Sequence, residues 1–191
     1  MYKNCNTEQS VLRQQQLEDC LLQNMLLKPY GDISVSDLCE QSQISRKSFY
    51  RYFGSKDGCL CALLDRAMLE SSRYEIPADP ELNPLEAEFF RILSFWKQEQ
   101  DLLRVVAVNE LTGHLLERMI QHILNEEHDL LNYLGISNVQ NYEDPLLFST
   151  TGFLALLLNW AKSGFRKPVI QMAVTMADLY SRPLMTDSSK E

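Results

Sequence analysis

The chain lacks any apolar run long enough to cross a bilayer. Its most apolar stretch, Gly152 to Leu158, falls far short of the roughly 18 residues a spanning helix requires, so a soluble protein with no membrane partner is expected. Alternating apolar–polar patterns are missing too, as are internal repeats and low-complexity tracts, and this excludes a sheet-built or solenoid fold. The five cysteines, Cys5, Cys20, Cys39, Cys59 and Cys61, are odd in number and all lie in the first third. No signal peptide precedes them, so small buried thiols in a reducing cytoplasm are expected rather than a disulfide framework. Cys59-x-Cys61 is not zinc-ligand spacing. Of the three histidines, His114 and His122 fall roughly together on a helix and His128 falls away from them, so neither a metal nor a cofactor is expected. Nucleophile-elbow, phosphate-loop and zinc-protease motifs are absent, and no enzymatic activity is expected.

Positive charge, lacking overall, is present locally. The net charge is −8, and residues 1–57 contribute nothing to it, with seven basic and seven acidic side chains. The remaining residues carry 11 basic and 19 acidic side chains. Within Ile33 to Lys56, ISVSDLCEQSQISRKSFYRYFGSK, the second half holds Arg46, Lys47, Arg51 and Lys56 with no acid among them. Such a patch in an acidic protein suits a polyanion, nucleic-acid phosphate first among them. The acidic body would keep the rest of the molecule off the same polyanion.

Periodicity predicts helices almost throughout. Val11, Leu12, Leu17, Leu21, Met25 and Leu26 recur at helical spacing until Lys28-Pro29-Tyr30-Gly31 stops the run. Ser34 is placed to cap a short helix from Val35 to about Ser42, and Ser45 to cap a second from Arg46 to Phe53, which Gly54 ends. A long helix opened by Ser55 fades near Tyr74, and a loop with three prolines follows. Further helices are expected over Leu85–Glu99, Leu102–Glu110, Gly113–Tyr133, Leu146–Gly164 and Pro168–Tyr180. The Leu146–Gly164 segment is apolar nearly all round.

Ser45-Arg46-Lys47-Ser48-Phe49-Tyr50-Arg51-Tyr52-Phe53-Gly54-Ser55-Lys56-Asp57 resembles the signature of TetR-family transcriptional regulators, a Tyr-x-Tyr-Phe followed by Ser-Lys-acid. The likeness covers about the first 65 residues. Leu158-Asn159-Trp160-Ala161-Lys162-Ser163-Gly164-Phe165 also resembles one group of TetR C-terminal domains from Firmicutes. The resemblance implies an all-α chain with an N-terminal three-helix helix-turn-helix domain, residues 1–55. A C-terminal helical ligand-binding and dimerisation domain, residues 56–191, would follow. It further implies a homodimeric repressor that binds double-stranded DNA at a palindromic operator and is released by a small-molecule effector. The alternative is a TetR-like module that acts on a partner protein without reading DNA.

Elementary chemistry gives the matched positions their jobs. Arg46, Lys47 and Ser48 open the second short helix, where side chains meet base edges and flanking phosphates; Arg46 or Lys47 can donate to guanine. Ser45, Arg51 and Lys56 complete the set, with Lys56 suited to a phosphate at a helix start. Ser34 can cap and donate to phosphate together. The resemblance assigns Tyr50 mainly to phosphate and Tyr52 to the margin of the contact. Leu38, Ile44, Phe49 and Phe53 are the expected core of this module. Two positions depart from the family pattern. Gln43 stands where a turn glycine is usual, at a cost of about 1 kcal/mol if its φ is positive. Gly58 stands where a helix former is usual, weakening that turn by about 1 kcal/mol relative to Ala. Candidate ligand-pocket residues are Phe95, Trp96, Leu103, Leu111, His114, Met119 and Tyr133. Candidate dimer-interface residues are Phe153, Leu157, Trp160, Val169, Met172 and Met176, with Phe148, Leu156, Ala173 and Leu179 beside them.

Overall fold

A computed structural model describes residues 2, 7–77, 81–125 and 143–181 of the chain. Among the described residues the regular structure is entirely helical. In order the helices are α1 (Glu8–Leu27), a 3-10 turn (Tyr30–Asp32), α2 (Val35–Gln41), α3 (Arg46–Phe53), α4 (Lys56–Arg73) and α5 (Pro84–Gln98). They continue with α6 (Gln100–Val108), α7 (Thr112–Asn125), α8 (Glu143–Lys162) and α9 (Val169–Ser181). The chain forms two compact units, Met1–Glu70 with Asp101–His122, and Ser71–Gln100 with Ile123–Glu191. None of the helices among the described residues is long and apolar enough to cross a membrane.

In the first unit, Leu17, Leu21 and Met25 of α1 are buried, as their spacing requires. Pro29 then closes the helix and leads into the 3-10 turn. The start of α2 is a capping box. Ser34 Oγ accepts the Asp37 N–H, and the Asp37 carboxylate accepts the Ser34 N–H. Lys28 reaches that same carboxylate at 2.9 Å, and its hydrogen bond is the largest influence holding the Asp37 carboxyl below its usual range.

The turn between α2 and α3 passes through Gln43 at φ 55°. The left-handed conformation therefore falls on a residue with a Cβ, which costs about 1 kcal/mol. Gly54 ends α3 at φ 72°, where glycine carries no such cost. Ser55 Oγ accepts the Gly58 N–H at 3.0 Å and opens α4. Gly58 has a packing reason that its helix propensity conceals. A Cβ there would lie 2.0 Å from the backbone oxygen of Phe53, so only glycine lets α4 start this close behind α3. The unit also buries a carboxylate. Glu18, 3% exposed, meets Arg66 Nε at 2.7 Å, and Arg66 also pairs with Asp19 and Glu70. Burial pushes the Glu18 carboxyl above its usual range, against the pull of Arg66.

α6 starts at Gln100 and stops at Val108, earlier at both ends than its apolar spacing suggests. The stop is a left-handed closure: Glu110 takes φ 58° and the Leu111 N–H bonds back to the Val106 oxygen at 3.0 Å. α7 is described as far as Asn125. The rest of the helix expected to reach Tyr133, with most of the polar loop after it, lies outside the described residues.

In the second unit a capping box of Asn83 and Glu86 opens α5, with Pro84 in its first turn. α5 packs on α9. Phe89 of α5 sits 6.2 Å from the ring of Phe153 and 5.1 Å from that of Tyr180. The Tyr180 hydroxyl donates to the Ser149 oxygen at 2.5 Å, tying α9 to α8. The α8–α9 connection is closed by Trp160, whose Nε1 donates to the Lys167 oxygen at 2.9 Å. The Trp160 ring meets the edge of Phe165 at 4.8 Å.

Candidate nucleic-acid interface

α3 is eight residues long and two-faced. Its spacing turns Phe49, Tyr52 and Phe53 inward, all buried, while Arg46, Lys47, Tyr50 and Arg51 stand exposed. Ser45 Oγ accepts the Ser48 N–H at 3.2 Å, and both hydroxyls lie beside the helix N-terminus. The free N–H groups and positive dipole end of α3 therefore coincide with its cations, an arrangement that attracts anions. Tyr50 is 45% exposed, and the Arg46 guanidinium lies 6.0 Å from its ring centre. Ser34 is exposed at the start of α2.

Two expected contact residues are used differently. Tyr52 is only 3% exposed; its hydroxyl accepts from Arg51 at 3.0 Å, and the Arg51 guanidinium lies 4.9 Å from its ring centre. It is a core residue that orients Arg51, because the helical period places it on the same side as Phe49 and Phe53. Lys56 points back into its own chain. Its ammonium donates to the Tyr30 oxygen at 2.6 Å and the Ile33 oxygen at 2.8 Å, and lies 4.2 Å from the Tyr30 ring centre. The Tyr30 hydroxyl donates to Asp57 at 2.6 Å, and the Tyr30 N–H donates to Asn109 Oδ1 at 2.6 Å. Desolvation, then the bond to Asp57, push the Tyr30 phenol well above its usual range. Sequence reasoning missed Tyr30 and Asn109. Tyr30 reads there as part of a helix stop, and nothing in spacing or composition distinguishes Asn109.

The candidate pocket residues fall in different units. Leu103, Leu111 and Met119 are buried in the first unit and His114 is half-buried there, while Phe95 and Trp96 are buried in the second. Tyr133 lies outside the described residues. Among the candidate interface residues, Phe153, Leu157, Trp160, Met172 and Met176 are buried within their own chain and Val169 is half-buried. The apolar surface left on α8 and α9 belongs instead to Leu147, Phe148, Ile170, Val174 and Leu179. Cys20, Cys39, Cys59 and Cys61 are free thiols, and burial pushes each of them up. Among the described residues no group of His, Cys, Asp and Glu is arranged to hold a metal ion.

A short helix braced on two others, presenting cations and hydroxyls from its N-terminal half, defines a helix-turn-helix protein. Residues 25–63 match the family described as bacterial regulatory proteins, tetR family. The EthR transcriptional regulator of Mycobacterium tuberculosis is 42% identical over 59 residues, 28% of this chain and 27% of its own length. EthR of Mycolicibacterium smegmatis is 37% identical over 60 residues, 28% of each chain. The chain thus matches little more than a quarter of these curated relatives' length. A TetR transcriptional regulator from Streptococcus agalactiae has the same fold, with a TM-score of 0.66 at 18% identity over 91% of this chain and 96% of that one. A Listeria innocua protein gives 0.66 at 17% identity over 94% and 96%. Residues 25–63 thus match the tetR family of bacterial regulatory proteins, and the chain shares the fold of these solved structures.

Proposed function

We propose that this protein is a cytoplasmic, homodimeric repressor that reads a palindromic DNA operator and is released by a small-molecule effector. Residues 1–55 form the reading head and residues 56–191 the regulatory and dimerising part. The observation that carries the reading is the outer face of α3, where Arg46, Lys47, Tyr50 and Arg51 are exposed with no acid among them. Ser34, Ser45 and Ser48 supply hydroxyls at the edges of that face. In this reading Lys47 and Arg46 enter the major groove, Tyr50 and Arg51 meet the backbone, and the serines donate to flanking phosphates.

Dimerisation is supported by the apolar surface of α8 and α9. Phe148 is 67% exposed, and a Cβ on Gly152, one turn further along, would meet nothing within 4 Å. An exposed aromatic beside an open glycine suits close approach by a second copy. Two heads on a two-fold axis would then span half-sites about 34–36 Å apart.

The test is fluorescence-anisotropy binding to DNA from upstream of the chain's own gene, against scrambled DNA, across a salt series. Specific binding that weakens with salt, and a salt slope smaller by about one for Lys47→Ala, are expected. Equal affinity for both DNAs at every salt concentration would refute the reading.

A further inference from the structure

We infer that Tyr30 is the hub that holds the DNA-reading module in register, with Lys56 and Asn109 as positioning residues acting through it; this rests on the DNA-binding reading above. Lys56 has three N–H donors, and two of them close on the carbonyls of Tyr30 and Ile33, at 2.6 and 2.8 Å. Tyr30 opens the 3-10 turn between α1 and α2, and Ile33 caps its end. Drawing Lys56 out to a phosphate would strip the Ile33 carbonyl of this partner and leave the Tyr30 carbonyl with the Ile33 N–H at 3.3 Å. The next residue, Asp57, takes the Tyr30 hydroxyl at 2.6 Å. The first turn of α4 thus grips Tyr30 at its carbonyl, its ring face and its hydroxyl.

This grip joins both ends of the helix-turn-helix. Ile33 leads directly into the Ser34 cap of α2, while Lys56 and Asp57 follow directly on Gly54 and Ser55, where α3 ends. One residue therefore fixes where the α2–α3 pair begins relative to where it stops, and so fixes the pose of α3.

Asn109 brings a third element to the same hub. Its amide oxygen accepts the Tyr30 N–H at 2.6 Å, and its amide nitrogen donates to the Val105 oxygen in the last turn of α6 at 2.8 Å. One orientation of the amide serves both bonds. Any change in the last turn of α6 changes the hold on Tyr30, and by linkage DNA binding biases that turn in return.

The test uses full-length protein in the same salt series with the same upstream DNA. A phosphate ligand contributes about 0.9 to the salt slope, a positioning residue nothing. Lys56→Met is expected to weaken binding about tenfold with an unchanged slope. Lys56→Arg keeps the charge a phosphate needs but cannot seat one nitrogen between both carbonyls, so it too is expected to weaken binding. It also serves if Lys56→Met fails to fold, which circular dichroism reports. Asn109→Leu is expected to weaken binding about fivefold at unchanged slope, and Asn109→Asp, which keeps the acceptor for the Tyr30 N–H but sets an oxygen against the Val105 carbonyl, to recover only part of that loss. A slope reduced by about one in Lys56→Met, with full affinity in Lys56→Arg, would make Lys56 a phosphate ligand and overturn its part. Wild-type affinity in Asn109→Leu would overturn the part of Asn109. Failure of the DNA-binding reading shows separately, as absence of any preference for the upstream DNA in the wild type.

Discussion

α3 and α8 were built from opposite materials. α3 mixes cations with aromatics, so its period alone sorts the faces, and Phe49 and Phe53 are buried while Arg46 and Lys47 are exposed. α8 is apolar nearly all round. Leu157 and Trp160 go into its own unit, whereas Leu147 and Phe148 are left outside. The contrast shows that periodicity finds a face only where the opposite face is chemically different. Where both faces are apolar, neighbouring helices decide, and here Phe89 of α5 meets Phe153 of α8 and Tyr180 of α9 bonds to Ser149 of α8.

That contrast can be broken most forcefully at Leu157. Leu157→Ala removes a fully buried side chain and is expected to cost about 3–4 kcal/mol in urea denaturation. Phe148→Asp, on the other face of the same helix, is expected to leave the fold intact and to shift the protein toward monomer in sedimentation velocity. A loss of stability as large as that of Leu157→Ala would make Phe148 a core residue. In the first unit, Gly58→Ala sets a Cβ against the Phe53 carbonyl and is expected to cost about 3 kcal/mol. Helix propensity alone would have it stabilise by about 1 kcal/mol, so even the sign of the measurement decides.

A smaller effect concerns pH. Because the folded Glu18 carboxyl titrates above the unfolded value of 4.5, the folded state holds this proton more firmly. The contribution of Glu18 is full below 4.5 and is lost as pH rises through the raised folded value. In Glu18→Gln the drop in unfolding free energy between pH about 5 and about 8 is expected to be shallower than in the wild type. An equal drop would show that the burial of Glu18 carries no net titration cost. Smallest is Gln43→Gly, which relieves the left-handed strain and is expected to stabilise by about 1 kcal/mol in thermal melts.

Much of the helix-turn-helix was legible in the sequence because its signals are local. Caps at Ser34 and Ser45, the stop at Gly54 and the inward pair Phe49 and Phe53 each depend on residues within one turn of one another. Gln43 was legible as a departure, and its positive φ followed from the turn it occupies. Gly58 was seen but misjudged, since propensity speaks of a helix by itself and the Phe53 oxygen reaches it from outside α4. Tyr52 was misplaced for a different reason: a resemblance transfers residue identity more readily than orientation. Tyr30 and Asn109 gave no signal because their bond joins residues 79 apart in sequence.

The sequence by itself determined the helices, their caps and the segregation of positive charge onto α3, since each follows from propensity and from a period of 3.6 residues. Only the tertiary structure decided which face of α8 is inside, that Gly58 cannot carry a side chain, and that the Lys56 ammonium turns onto two backbone carbonyls. Those outcomes depend on atoms brought together across long stretches of chain, where distance in space is independent of distance in sequence.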